Sequence, residues 1–131
     1  MGNEKLGGKI MRKKITSELI NLTTKEKNTY QTNCIFVKNK IKYQENDTKN
    51  EINIKSNQII LIRENNDIKH LMFFKENETL ESEYIIKNPN LNLTLNIKTK
   101  KLTIKKNSIY LKYEIIESKN IFEYKIELED I

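Results

Sequence analysis

The sequence predicts an all-β protein: an antiparallel sheet rolled into a closed or nearly closed barrel of about eight to ten strands. Three observations carry that expectation. Leu91, Leu93, Leu95 and Ile97 alternate with Asn92, Thr94, Asn96 and Lys98, and a strand puts successive side chains on opposite faces. The same two-residue period recurs along most of the chain, broken by brief polar turns. No convincing helix is present to cover the apolar face of so large a sheet, so curling is the way to bury it and remove its edges.

Taken in order, Met11, Lys13, Ile15, Ser17 and Leu19 form the first alternating set, against Arg12, Lys14, Thr16 and Glu18. A helix fits the spacing of Ile15, Leu19 and Leu22, but Thr16, Ser17, Thr23 and Thr24 suit a helix interior poorly and favour a strand. After a polar turn over residues 23–28, Tyr30, Thr32, Cys34 and Phe36 alternate with Ile35 and Val37. A tight turn at Asn39 leads to Ile41 and Tyr43. Ile52 and Ile54 follow, then residues 59–62, apolar on both faces and so a buried strand. Glu64-Asn65-Asn66-Asp67 is the clearest turn, because Asn and Asp satisfy nearby backbone groups.

Ile68, His70, Met72 and Phe74 share the next face, with Leu71 and Phe73 behind them. Residues 75–78 turn the chain into a strand over 80–86. Pro89 lacks a ladder donor and belongs in a turn. The Leu91 strand bends at residues 98–101 and runs on to Lys106. Ile109, Leu111, Tyr113 and Ile115 form the penultimate strand. Phe122, Tyr124, Ile126 and Leu128 form the last, against Glu123, Lys125, Glu127 and Glu129. Clean alternation in these two means one solvated face each.

A chain of 131 residues is expected to form one domain, here over residues 11–131. Residues 1–10, with Gly7-Gly8, read as a flexible N-terminal extension or expression remnant. Leu6 breaks a lipidation motif at Gly2. The net charge of +6, from 24 basic and 18 acidic residues, promotes solubility and gives weak attraction to anions. Part of the excess, Lys5, Lys9, Arg12, Lys13 and Lys14, reads as a solvated terminus, or as a phosphate contact if folding clusters it. Cys34 is the lone cysteine and excludes an intrachain disulfide. No leading apolar segment and no long apolar run point to export or a membrane helix. The expected location is cytoplasmic.

The stretch from Lys42 to Tyr113 resembles a family of small uncharacterised bacterial proteins typified by YwiB. Tyr43-Gln44-Glu45 is similar to the family's Tyr-x-Glu run, and Ile60-Leu61-Ile62-Arg63 to its apolar strand ending in Arg. His70-x-Met72-x-Phe74, Pro89, the Leu93 to Lys100 run and Ile109-x-Leu111-x-Tyr113 resemble the segments that follow. The resemblance implies a calycin-like, lipocalin-related barrel and no reaction. The chain departs at the family's glycines, with Glu64-Asn65, Asn77 and Asn90-Leu91 in their places. Asn is the best substitute for Gly at positive φ.

No catalytic constellation, metal site or cofactor motif is found. His70 is the single histidine and has no ligand-like spacing. Arg63 ends an apolar run, so it either offers its donor fork to an anionic ligand at a barrel mouth or pairs with Glu45 or Glu64. Tyr43, Tyr113 and Tyr124 combine an apolar body with a polar tip, which suits a small-ligand pocket, an ordinary core or a dimer interface. Met72 lines a cavity or fills a core gap, and His70 is a polar group inside a cavity, hydrogen-bonded scaffolding or an exposed side chain. Lys98, Lys100, Lys101, Lys105 and Lys106 form the best basic cluster, with Tyr110 as the aromatic nearby, and read as a solvated face or a nucleic-acid surface.

The leading expectation is a non-enzymatic barrel that binds a small apolar or amphipathic molecule in its lumen. The alternatives are an RNA-associated accessory protein using the Lys98 to Lys106 surface, and a structural or dimerisation module without a small ligand. A homodimer whose interface occupies the barrel mouth favours the third reading over the first.

Overall fold

In the computed structural model, which describes residues 9–131, the chain is a ten-stranded antiparallel barrel closed on itself. The strands are β1 (Met11–Asn21), β2 (Lys27–Val37), β3 (Lys40–Glu45), β4 (Thr48–Lys55), β5 (Gln58–Glu64), β6 (Ile68–Lys75), β7 (Thr79–Lys87), β8 (Asn90–Lys105), β9 (Ser108–Ile115) and β10 (Asn120–Asp130). Each strand pairs with its neighbours in sequence, and β1 closes the shell between β2 and β10. The helix alternative for residues 15–22 is resolved in favour of a strand. Most of the proposed N-terminal extension, residues 1–8, and with it Gly2, lies outside the described residues.

Short polar turns make this topology possible. Lys38 and Asn39 both take positive φ, 52° and 64°, which matches the twist of a two-residue hairpin. Asn77 sits at φ 65°, as the tolerance of Asn for this region allows. Asn65 works differently. Its side-chain oxygen accepts the backbone N–H groups of Asp67, at 2.8 Å, and Ile68, at 3.0 Å, closing the turn without a glycine.

The alternation sorts the wall into a wet outside and a mostly apolar inside. Ile15, Ile41, Ile52, Ile59, Phe74, Ile97, Leu111 and Ile126 are buried in the lumen core. Glu18, Lys112, Glu114, Glu123 and Lys125 lie on the outer face, where Glu18 pairs with Lys27 and Lys125. At one end Phe36, Ile41, Ile54, Ile104, Ile109, Ile126 and Leu128 meet around a cavity of about 240 Å³. Lys13 breaks the expectation of a solvated basic terminus. Its alternation with Ile15 turns it inward, where Nζ lies 3.0 Å from Asp130 and 3.4 Å from Asn107.

Three seams are incomplete: β6 and β7 pair only from Ile68–Ile86 to Leu71–Glu83, and two other breaks bear on the site. β1 and β2 stay in register from Met11 opposite Phe36 to Ile20 opposite Lys27. β2 and β3 pair only at Ile35–Lys42, Phe36–Ile41 and Val37–Lys40, so the rest of β2 stands apart from Tyr43, Gln44 and Glu45. The second break is on β8. A bulge between Thr99 and Lys101 adjusts its register with β9, at the bend expected over residues 98–101. Before Asn96, among the described residues, β8 pairs with β7 alone. Its first residues are exposed on both faces, with Leu91 49% and Leu93 44% accessible, so the stretch expected to hide one face hides it only from Leu95 onward.

Candidate functional site

The register brings most of the candidate residues onto one inner belt. Tyr43 stands opposite Asn50, Asn50 opposite Arg63, Arg63 opposite His70, His70 opposite Tyr84 and Tyr84 opposite Leu93. Paired residues in an antiparallel ladder share a face, so this row crosses six strands inside the shell. Met72 lies one step deeper on β6, buried opposite Leu61. Tyr113 and Tyr124 complete the ring from β9 and β10. The Tyr124 hydroxyl is 2.9 Å from that of Tyr43. Tyr113 packs between Phe74 and Phe122, with ring centroids 4.9 Å and 5.2 Å away.

Arg63 sits where the β2–β3 seam parts. A cavity of about 290 Å³ opens there, lined by Ser17, Leu19, Asn28, Thr29, Tyr30, Glu45, Asn46, Arg63 and Tyr124. The Arg63 guanidinium faces Glu45 at 4.0 Å, and both side chains are partly exposed. At that separation and exposure the pair contributes only about 0–1 kcal/mol, and the guanidinium keeps donors for another partner. Glu64, the other acid weighed for Arg63, instead accepts from Lys87 at 2.7 Å, and this hydrogen bond holds its carboxyl below the usual value.

The electrostatics centre on Arg63. Burial first, then the nearby guanidinium charge, lowers His70 from near 6.5 to about 4, so the imidazole is neutral at pH 7. Its Nε2 lies 3.3 Å from Ser82 Oγ, and its ring meets Tyr84 edge-on. Burial pushes the hydroxyls of Tyr43, Tyr113 and Tyr124 above their ordinary values. Arg63 acts against that rise at all three. The result is a lumenal mouth with one cation, neutral hydroxyl donors and an apolar floor.

Chemically, the arrangement offers a guanidinium, hydroxyls and apolar side chains at one cavity. Among the described residues no group of three or more His, Cys, Asp or Glu could hold a metal. Cys34 is a free, buried thiol, and burial raises its pKa, which disfavours the nucleophilic thiolate. The lysine stretch is divided. Lys98 and Lys101 stand on the outer wall opposite Glu114 and Lys112, and Lys100 is 3.7 Å from Glu114. Lys105 and Lys106 lie at the far end of the barrel. Tyr110 donates its hydroxyl to Glu123.

A solved structure shares this architecture. The barrel resembles that of YwiB. A crystal structure of the ywiB protein from Bacillus subtilis matches with a TM-score of 0.70, covering 93% of this chain and 92% of that one at 13% sequence identity. At that identity the likeness to YwiB is one of fold. No family model and no curated protein matches the chain. Leu91 is exposed on β8.

Sequence reasoning singled out Arg63, His70, Met72 and the three tyrosines, and considered Glu45 only as an ion-pair partner. It missed Ser17, Asn28, Tyr30 and Asn50 as parts of the same mouth. Ser17 and Tyr30 were readable as members of alternating sets. Their meeting at Arg63 depends on where β2 leaves β3, for which the sequence carries no local mark.

Proposed function

We propose that the protein is a non-enzymatic carrier or sensor of a small amphipathic molecule, held in the lumen with an anionic group on Arg63. The observation that carries this reading is the placement of Arg63. It faces the lumen beside a cavity at the split seam, weakly matched by Glu45 at 4.0 Å. An acidic group would meet the free donors of the guanidinium in the bidentate geometry that Arg favours. Hydroxyls of Tyr30 and Tyr124 line the same cavity, and Leu19 offers an apolar contact. The cavity lies at the small end of ligand pockets, which run from ~300 to 1,000 Å³, so the guest is compact or leaves part of itself in the seam.

In this reading the barrel is calycin-like and the protein works in the cytoplasm. The charged outer wall supports a water-facing barrel, since a lipid-facing one would carry an apolar band. The Lys98 to Lys106 surface has no feature that favours nucleic acid over this guest, because acids interleave with it and Tyr110 is engaged.

The test is fluorescence titration with anilinonaphthalene sulfonate, with decanoate and decanol as competitors. We expect Arg63→Gln to weaken dye binding at least about tenfold, the loss of one charge-assisted contact. Decanoate should displace the dye more effectively than decanol. Equal dye affinity in wild type and Arg63→Gln, or equal competition by acid and alcohol, overturns the reading.

A further inference from the structure

β8 changes partners along its length. From Ile97 to Lys105 it lies between β7 and β9. Asn96 marks the exit, where its carbonyl accepts the backbone N–H of Ile116 and its own N–H donates to Glu117 at 2.8 Å. From Leu91 to Leu95 the strand pairs with β7 on one side, and among the described residues no strand pairs with the other. That edge presents open backbone donors and acceptors, a template for another strand.

The usual protections of an edge are missing here. From Asn88 to Ile97 there is no charged residue. Leu91 and Leu93 are exposed, the bulge comes only at Thr99 to Lys101, and Pro89 precedes the strand. The sequence of the edge, Leu91-Asn92-Leu93-Thr94-Leu95, reads nearly the same in both directions. Antiparallel pairing about Leu93 would set Leu91 against Leu95 and Asn92 against Thr94, like facing like throughout. The chain carries a net charge of +6, so two copies repel over most of their surfaces, and this uncharged ribbon is where they approach at least cost.

We propose that two copies of the chain associate through these edges, in a two-fold antiparallel ladder centred on Leu93. The two β7–β8 ribbons then form one continuous sheet, with the leucines of both copies in a shared apolar strip. A contact of five residues a side is small, so the dimer is weak, with a Kd on the order of 100 µM. It does not depend on ligand binding in the lumen.

Sedimentation velocity from about 10 µM to about 1 mM tests it, since this range brackets the expected Kd. Asn92 and Thr94 are exposed on the outer face, so charges there leave the lumen untouched. The wild type should shift from monomer to dimer across the range, and more so in higher salt. In the double variant Asn92→Lys, Thr94→Lys, lysines oppose lysines across the two-fold axis, and association should weaken at least about tenfold. In Asn92→Glu, Thr94→Lys each glutamate meets a lysine, and association should return to the wild-type level or better. Circular dichroism checks that all three fold alike. A wild type monomeric throughout leaves the edge to a different strand donor and overturns the proposal. A dimer that both variants form equally well overturns it too.

Discussion

The two ends of the barrel are built from the same strands and the same alternation, yet their interiors differ. At one end Phe36, Ile41, Ile54, Ile104, Ile109, Ile126 and Leu128 surround about 240 Å³. At the other, Ser17, Asn28, Tyr30, Glu45, Arg63 and Tyr124 help to surround about 290 Å³. The volumes are close, so space is not what separates them. The difference is in the lining: seven apolar side chains dominate the first cavity, with Asn39, Lys105, Lys106 and Ser108 beside them, while the second is mostly polar, with Leu19 as its aliphatic contact and Arg63 facing Glu45. On the proposed reading, stability is concentrated at the first end and recognition at the second, because polar groups held ready for a guest contribute little to folding in its absence.

Substitutions at the two ends should therefore separate these properties. The largest effect is expected from Ile41→Ala, which removes a fully buried side chain at the apolar end. Urea unfolding should show a loss of about 2–5 kcal/mol. A cost below ~1 kcal/mol would break the assignment of stability to that end.

Acid comes next and acts on the polar belt. His70 is lowered by burial and by Arg63, from near 6.5 to about 4. Between those values the unfolded chain binds a proton that the folded barrel excludes, so stability is complete above pH 6.5 and falls as the pH drops toward 4. Urea midpoints measured across that window should decline on acidification, and His70→Gln should flatten the decline. An identical slope in the variant would mean that other groups carry it.

Arg63→Gln should do the reverse of Ile41→Ala, weakening dye binding while moving folding stability by less than about 1 kcal/mol, since its ion pair is long and partly exposed. The smallest effect is expected from Tyr43→Phe or Tyr124→Phe, each losing the 2.9 Å hydroxyl contact at about 1 kcal/mol. The double variant should cost less than the sum of the two, because the shared contact is lost only once.

The fold was readable in the sequence because a period of two is hard to disguise. Ile109 to Ile115 and Phe122 to Leu128 could be placed on strands, and assigned an inner face, from their neighbours alone. Residues such as Arg63, His70 and Tyr43 were selected for chemistry at the ends of apolar runs, and cross-strand register then united them. Register is long-range information: nothing near Asn28 or Ser17 says which strand will stand opposite. Lys13 shows the converse limit. Its charge suggested solvent while its place between Met11 and Ile15 put it inside, and alternation prevailed because Asp130 and Asn107 receive its ammonium.

The short seam between β2 and β3 has a mechanical consequence. Three register pairs join these strands, so drawing them further apart breaks fewer ladder bonds there than at any other seam of the wall. The shell has a built-in hinge line beside its cation. On the proposed reading, a guest too bulky for the resting hole enters sideways there, and the remaining nine seams do not have to give way.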